Sequence, residues 1–391
     1  MVVTENEGVD EAVLERARAL AVRVRASADE IESLRRLPPD LAAAMGDAGL
    51  FSMYVSKEHG GAEIHPLTAL QVVEEIGRAD GSAGWVTMLG SSVSTFSGWI
   101  TPPAMRAMVE DAGPFRPAGS ARVLGTAQAV DGGYLVNGQW DFQSGVTHAN
   151  WVVGNCMVLD DGKPRHSAEG VPVTRSMYLP VRDGEVIDTW HTVGMRGTGS
   201  NDFAVENLFV AEERTSRWDE PPAIEGPLYR SRVNITFGWV LTAANALGIA
   251  RGSIDELTAL ASVAASTGSM SLLRDRPKVQ ARVGEAEAIV RGARAWLVTA
   301  TGAAFEASKR IREEDPTDAL LDMRLSIVHA IRESVRAVDI IFHAAGTNAV
   351  YESNRLGRFF RDIHVGVQHV SAAQEHYETA GRMVLGAGPG W

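Results

Sequence analysis

The chain has 391 residues, too many for one compact core, so two or three domains are expected. A formal charge of -12 argues against nucleic acid or an anionic membrane as the partner, because both reward positive patches. Hydrophobic residues at 45% and charged residues at 22% are ordinary for a globular protein, and no apolar run approaches the roughly 20 residues of a membrane span.

The first residues, Met1 to Glu7, are acidic and lead into no apolar stretch, so no export signal is expected. Helical spacing then runs from about Val9 to Val109. Val13, Ala17, Leu20 and Ala21 recur at three- and four-residue steps, and Leu41 to Met45 continue the pattern. Pro38-Pro39-Asp40 supplies a break and a helix start, and Gly60-Gly61 a turn. Leu67 to Arg78 reads as an amphipathic helix with Glu74 and Glu75 on its wet side.

From about Pro114 to Asp219 short alternating runs are punctuated by Gly and Asp. Asp131-Gly132-Gly133 between Ala127–Val130 and Tyr134–Asn137 predicts a hairpin. Trp151–Leu159 and Phe203–Val210 are strand candidates. Beyond about Pro227 long Ala-rich segments, Val283–Ala307 and Leu320–Ala345, predict helices again. The order is α, then β, then α, with no repeat. Near the C-terminus, Arg361 to His369 reads as a helix start.

Few residues stand out as chemistry by themselves. The lone Cys156 has no disulfide partner, fits a reducing cytoplasm, and reads as a small buried hydrophobe. None of the ten histidines falls in a His-Glu-x-x-His or other compact ligand set, so no metal is expected. His369 and His376 would share a face if one helix ran through both. Trp85, Phe96, Trp99, Phe237 and Trp239 are candidates for an aromatic pocket, with burial in the core as the plainer reading of each.

Three groups of short motifs follow one another in a telling order. Ala48-Gly49-Leu50-Phe51, His59-Gly60-Gly61-Ala62 and Glu74-Glu75-Ile76 come first. Gly133 to Trp140 with Ser144-Gly145, then Gly194-Met195-Arg196-Gly197-Thr198-Gly199-Ser200, come next. In this order and spacing they resemble the acyl-CoA dehydrogenase superfamily over nearly the whole chain. The resemblance implies an α+β fold in three parts: an N-terminal helical domain (residues 1–112), a central β-barrel-like domain (113–224) and a C-terminal four-helix bundle (225–391). Dehydrogenases of that superfamily carry a catalytic glutamate about eight residues after the Arg361-Asp362 pair. Here that position is Val370, preceded by His369, and no carboxylate lies between Asp362 and Glu375. The other usual base position falls in a window without Asp or Glu from Gly226 to Ile254.

Gly138-Gln139-Trp140-Asp141-Phe142-Gln143-Ser144-Gly145, followed by His148-Ala149-x-Trp151, resembles the two-component flavin-dependent monooxygenase branch instead. That branch implies reduced FMN, or FAD, delivered by a separate reductase, with O2 as co-substrate. Oxygen would pass from a C4a-hydroperoxyflavin to a small aromatic or heteroaromatic molecule. It also implies His369 and Ser144 as catalytic residues. Ser120, Phe142, Ser144, Trp190, Thr198, Ser200, Arg276, Gly346 and Thr347 become the expected cofactor contacts. Arg274 and Gln280 lie where family members reach across a subunit interface, and a homotetramer is expected from the apolar surface of the Ala-rich helices. His369 is expected either to donate to the peroxide or to act on a substrate O–H or N–H. Oxygenation of an amino-sugar nitrogen, dehydrogenation, and a binding module without catalysis stand as alternatives.

Overall fold

The computed structural model describes residues 8–230, 233–265, 271–310 and 318–387. Its first part comprises helices α1 (Glu11–Ala26), α2 (Ala28–Leu34), α3 (Pro39–Asp47), α4 (Pro66–Ala79), α5 (Gly81–Ser94) and α6 (Pro102–Ala112). The local chemistry explains their ends. Asp10 caps α1 by accepting from the amides of Ala12 and Val13, while Arg23 and Arg25 sit in its last turn. Pro66 and Pro102 open α4 and α6, where a missing N–H costs nothing. Asp80 separates α4 from α5 and caps α5 through Ala83 N, so the two helices are joined at a corner.

The strands are β1 (Pro117–Val130), β2 (Gly133–Trp140), β3 (Trp151–Asp160), β4 (Lys163–Pro164), β5 (Thr174–Pro180), β6 (Glu185–Ile187), β7 (Asp202–Ala211) and β8 (Thr215–Ser216). They form one eight-stranded mixed sheet in the order β6-β7-β2-β1-β3-β5-β8, with β4 on β3. The β1–β3 pair is parallel, and the predicted hairpin turn at Asp131-Gly132 joins the antiparallel β1 and β2. The sheet has its own core around Trp140, whose indole N–H donates to the Asn155 carbonyl at 2.9 Å. Gly125, Gly138 and Gly154 line that ring closely enough that any side chain there would collide with it. Trp140 is therefore structural, and Cys156 lies buried beside it.

Helices α7 (Asn234–Ala261), α8 (Pro277–Ser308), α9 (Asp318–Ala345), α10 (Arg355–Gly366) and α11 (Glu375–Val384) complete the chain. The helices before and after the sheet share a single apolar core, drawn from α1, α4, α5, α7, α8, α9 and α10. Close approach of α7 to α4 and α5 depends on Gly77 and Gly84, against which Asn245 is pressed. No helix among the described residues is long and apolar enough to cross a membrane.

Two readings of the sequence are corrected. Glu74 is not on a wet face: its side chain is 13% exposed and pairs with Arg294 of α8 at 2.8 Å. The Arg361–His369 stretch is a helix end and not a helix start, because α10 stops at Gly366. His369 and His376 consequently share no helix. His369 instead caps the short turn Val370–Ala372, and His376 Nε2 lies 2.9 Å from the Val370 carbonyl.

Candidate active site

The site forms where the Ser144 loop, the 194–200 loop, α5 and the end of α10 meet. After β2 the chain turns at Phe142, whose φ of 56° is unusual for a bulky residue. That strained turn places Ser144 against the neighbouring loop, where the Gly145 amide donates to the Thr198 carbonyl at 2.9 Å. Strain of this kind is retained where surrounding contacts over-determine it, commonly at functional sites.

The 194–200 loop is clamped from the other side by α10. Gly194 lies against the Arg361 carbonyl so tightly that a Cβ would come within 2.3 Å of it. One residue on, Met195 is left-handed, with φ 51°, and its amide donates to Asp362 Oδ1 at 2.6 Å. Asp362 is fully buried near a second buried carboxyl, Asp80. Burial first, and the charge of Asp80 next, push its pKa up to about 8, so the pair holds a proton at neutral pH. Farther along, Gly366 leaves room for Met195 and for the ring of Trp85 on α5.

Trp85 links the two expected catalytic residues. Its indole N–H donates to Ser144 Oγ at 3.2 Å. The same ring meets the His369 imidazole edge to face, with centroids 5.5 Å apart and planes at 85°. Ser144 Oγ is also 2.6 Å from Ser200 Oγ, which is 2.6 Å from Thr198 Oγ1, which donates to the Met195 carbonyl at 2.8 Å. That carbonyl also accepts from the Trp190 indole at 2.8 Å, and Trp190 faces Phe142 at 6.0 Å. Phe142 itself is 52% exposed. In one place, then, the structure gathers Ser144, Thr198, Ser200, Trp190, Phe142 and His369.

His369 is a neutral donor. Burial lowers its pKa to about 4. Nδ1 accepts from the Ser371 amide at 3.3 Å and lies 2.8 Å from Ser371 Oγ, so the ring proton belongs on Nε2. Ser120 lies in the irregular stretch of β1, where the register with β3 shifts. Ser120 Oγ and Gln143 Oε1 are buried without a partner among the described residues, and so are open to a ligand. His148 is a support: it packs on Phe51 at 4.6 Å, and burial lowers its pKa to about 4.

Other expected contacts lie elsewhere. Arg276 caps the start of α8, and Gly346-Thr347 follow the end of α9. Since Arg336 of α9 pairs with Glu285 of α8 at 3.1 Å and Trp296 with Asp322 at 2.9 Å, the two helices run antiparallel. Arg276 and Gly346-Thr347 thus share one end of that helix pair. Arg274 sits beside Asp275, and its carbonyl accepts from Gln280. Of the aromatic candidates only Trp85 reaches Ser144. Phe96 packs on Trp218, Trp99 donates to the Glu220 carbonyl, Phe237 is core, and Trp239 faces His376 at 5.0 Å. Residue type alone did not single out the Met195 carbonyl or Asp362 as parts of the site. The Arg-Asp pair at Arg361-Asp362 was the available signal.

Comparison with known proteins gives this geometry its setting. Residues 9–99 match the acyl-CoA dehydrogenase N-terminal domain, and residues 240–374 match the acyl-CoA dehydrogenase C-terminal domain. An indole-3-acetate monooxygenase of Pseudomonas putida is 31% identical over 94% of this chain and 92% of its own. The flavin-dependent monooxygenase oxygenase subunit HsaA of Rhodococcus jostii is 30% identical, over 92% of this chain and 94% of its own. The solved structure of XiaF from Streptomyces, in complex with FADH2 and glycerol, superposes with a TM-score of 0.85 at 25% identity, covering 97% of this chain and 96% of that one. The chain belongs to the acyl-CoA dehydrogenase superfamily, in its branch of two-component flavin-dependent monooxygenases.

Proposed function

We propose that this protein is the oxygenase component of a two-component monooxygenase that places one oxygen atom of O2 on a small aromatic or heteroaromatic substrate, with Ser144 and His369 as its catalytic residues. The observation that carries the assignment is that one indole, Trp85, holds both the Ser144 hydroxyl and the His369 ring. Bound reduced flavin would supply the electrons that divide O2 between substrate and water. The residues present fit such a flat, polar-edged ring. Ser144 retains a free lone pair for N5, Ser120 Oγ and Gln143 Oε1 are buried and unpartnered, and Phe142 with Trp190 offers an aromatic wall.

His369, neutral and protonated on Nε2, donates a hydrogen bond to the reacting oxygen or to a substrate heteroatom. Its Nδ1 is occupied, which disfavours the general-base role. Dehydrogenation finds no base, since Val370 stands at the glutamate position and Asp362 is committed to Met195. An aromatic substrate is favoured over an amino sugar by Trp85, which stacks edge to face with His369, and by the indole named in the Pseudomonas relative.

The flavin is FAD in our reading. The diphosphate of FAD suits the arginine fork of Arg276, one of the contacts that the family resemblance expects, whereas FMN has no such arm. Arg276 and Gly346-Thr347 would serve the site of a neighbouring subunit, as a homotetramer allows. Helices α8 and α9 expose none of the large apolar side chains on which that assembly was expected to rest. Support comes instead from exposed Val350 and Tyr351 beside Thr347. A separate cytoplasmic reductase is part of the same proposal, in keeping with the oxygenase-subunit name of the Rhodococcus relative.

The test is an anaerobic titration with reduced FAD and FMN, followed by 18O2 and a panel of indoles and phenols. Reduced-flavin binding and 18O in one product are expected. Tight binding of oxidised FAD, together with its reduction by an acyl-CoA, would reverse the assignment. A stable monomer by sedimentation at micromolar concentration would end the tetramer.

A further inference from the structure

The hydroxyls behind Ser144 can be oriented one by one, because one end of their chain is a carbonyl. The Met195 carbonyl only accepts, so the Thr198 O–H at 2.8 Å must donate to it. With its proton committed, Thr198 Oγ1 takes the proton of Ser200 across 2.6 Å. Ser200 in turn takes the proton of Ser144, again across 2.6 Å. Trp85 N–H fills one lone pair of Ser144. Only the other lone pair remains. Reversing any link would leave two oxygens in close contact with no hydrogen between them. Ser144, Thr198 and Ser200 are all buried, so water cannot relieve that repulsion. The terminal carbonyl is itself held in place: Met195 is left-handed, its amide is fixed by Asp362, and its oxygen also receives the Trp190 indole.

We propose that this one-way chain, Ser144 to Ser200 to Thr198 to the Met195 carbonyl, holds Ser144 as an obligate hydrogen-bond acceptor and makes the site select reduced over oxidised flavin. The inference rests on the reading above that flavin N5 lies at Ser144. Reduced flavin carries a hydrogen on N5 and donates to the open lone pair. Oxidised flavin presents a lone pair at N5, which meets the lone pair of Ser144. Thr198 and Ser200 are positioning residues in this scheme, since they act through Ser144. Product oxidised flavin would be released by the same mismatch, as a two-component cycle requires.

The experiment is an anaerobic titration of parent, Thr198→Val, Thr198→Ser and Ser200→Ala with reduced and with oxidised FAD. The parent should bind reduced FAD more tightly. Thr198→Val keeps the shape but removes the anchoring O–H, and Ser200→Ala removes the acceptor of the Ser144 proton. Either change lets Ser144 donate outward, so the ratio of oxidised to reduced dissociation constants should fall about tenfold, the size of one misdirected hydrogen bond. Thr198→Ser should restore the parent ratio, which a merely structural loss would not. If Thr198→Val fails to fold, Ser200→Ala decides. A parent that prefers reduced FAD alongside variants that keep its ratio overturns the one-way chain while the functional reading stands. A parent that binds neither flavin overturns both.

Discussion

The two ends of the expected cofactor site are built differently. Around Ser144 one chain supplies a continuous set of bonds between 2.6 and 3.2 Å, through Trp85, Ser200, Thr198, Met195 and Asp362. Arg276 and Gly346-Thr347 lie at one end of the α8–α9 pair, and exposed Val350 and Tyr351 follow Thr347 in the chain. The inner end is preorganised, as chemistry on a reactive ring demands. The outer end takes part only in the proposed assembly, where a second copy would bring it to the flavin.

The inner end should break most sharply at His369. His369→Ala is expected to lower product formation at least about 100-fold, the usual range for a lost hydrogen-bond donor at a reacting oxygen, with reduced-flavin affinity nearly unchanged. Product per O2 consumed, beside a flavin titration, measures both, and full coupling in the variant would remove His369 from the mechanism. Ser144→Ala should cost about 0.5–1.5 kcal/mol of reduced-flavin binding, up to about tenfold in Kd, and release more hydrogen peroxide per turnover. An unchanged peroxide yield would mean that Ser144 is only a turn residue.

At the outer end, Arg276→Ala should weaken FAD by about tenfold or less and leave FMN alone, because only FAD has an arm to reach it. Equal losses for both flavins would erase the distinction between the two ends. The smallest expected effect concerns pH. Asp362, raised to about 8 in the folded chain, binds a proton there that the unfolded chain has released, so stability should fall as pH rises toward 8. His369 and His148, lowered to about 4, work the other way: the unfolded rings gain protons first, so stability falls as pH drops from about 6.5 toward 4. Asp362→Asn keeps an acceptor for Met195 N and should remove the fall of stability with rising pH between about 4 and 8, which shows most clearly above about 6.5, where the histidines no longer contribute. A parallel shift of the whole profile would contradict that assignment.

The order of helices, strands and helices was legible because apolar period and turn residues are local properties. Asp131-Gly132 marked the hairpin, and Val283–Ala307 and Leu320–Ala345 marked the long helices. Ser144, Thr198 and Ser200 were legible through motif order, and the structure brings them within one hydrogen-bonded chain. Glu74 was misread because helical spacing shows which residues share a face but not what covers that face, and here α8 covers it with Arg294. The end of α10 was misread for a related reason. Gly366, the last residue of α10, lies against Met195 and Trp85, which come 171 and 281 positions earlier in the chain, and no local pattern shows those contacts.

Sequence by itself determined the residue types at the site, the absence of a carboxylate after Asp362, and the motif order that marks the family. Only the tertiary structure decided that Trp85 joins Ser144 to His369, that Asp362 holds Met195, and in which direction the hydroxyl chain runs. The direction of a hydrogen bond depends on which acceptor closes the chain. That acceptor is a backbone carbonyl, which every residue possesses and no residue letter reveals.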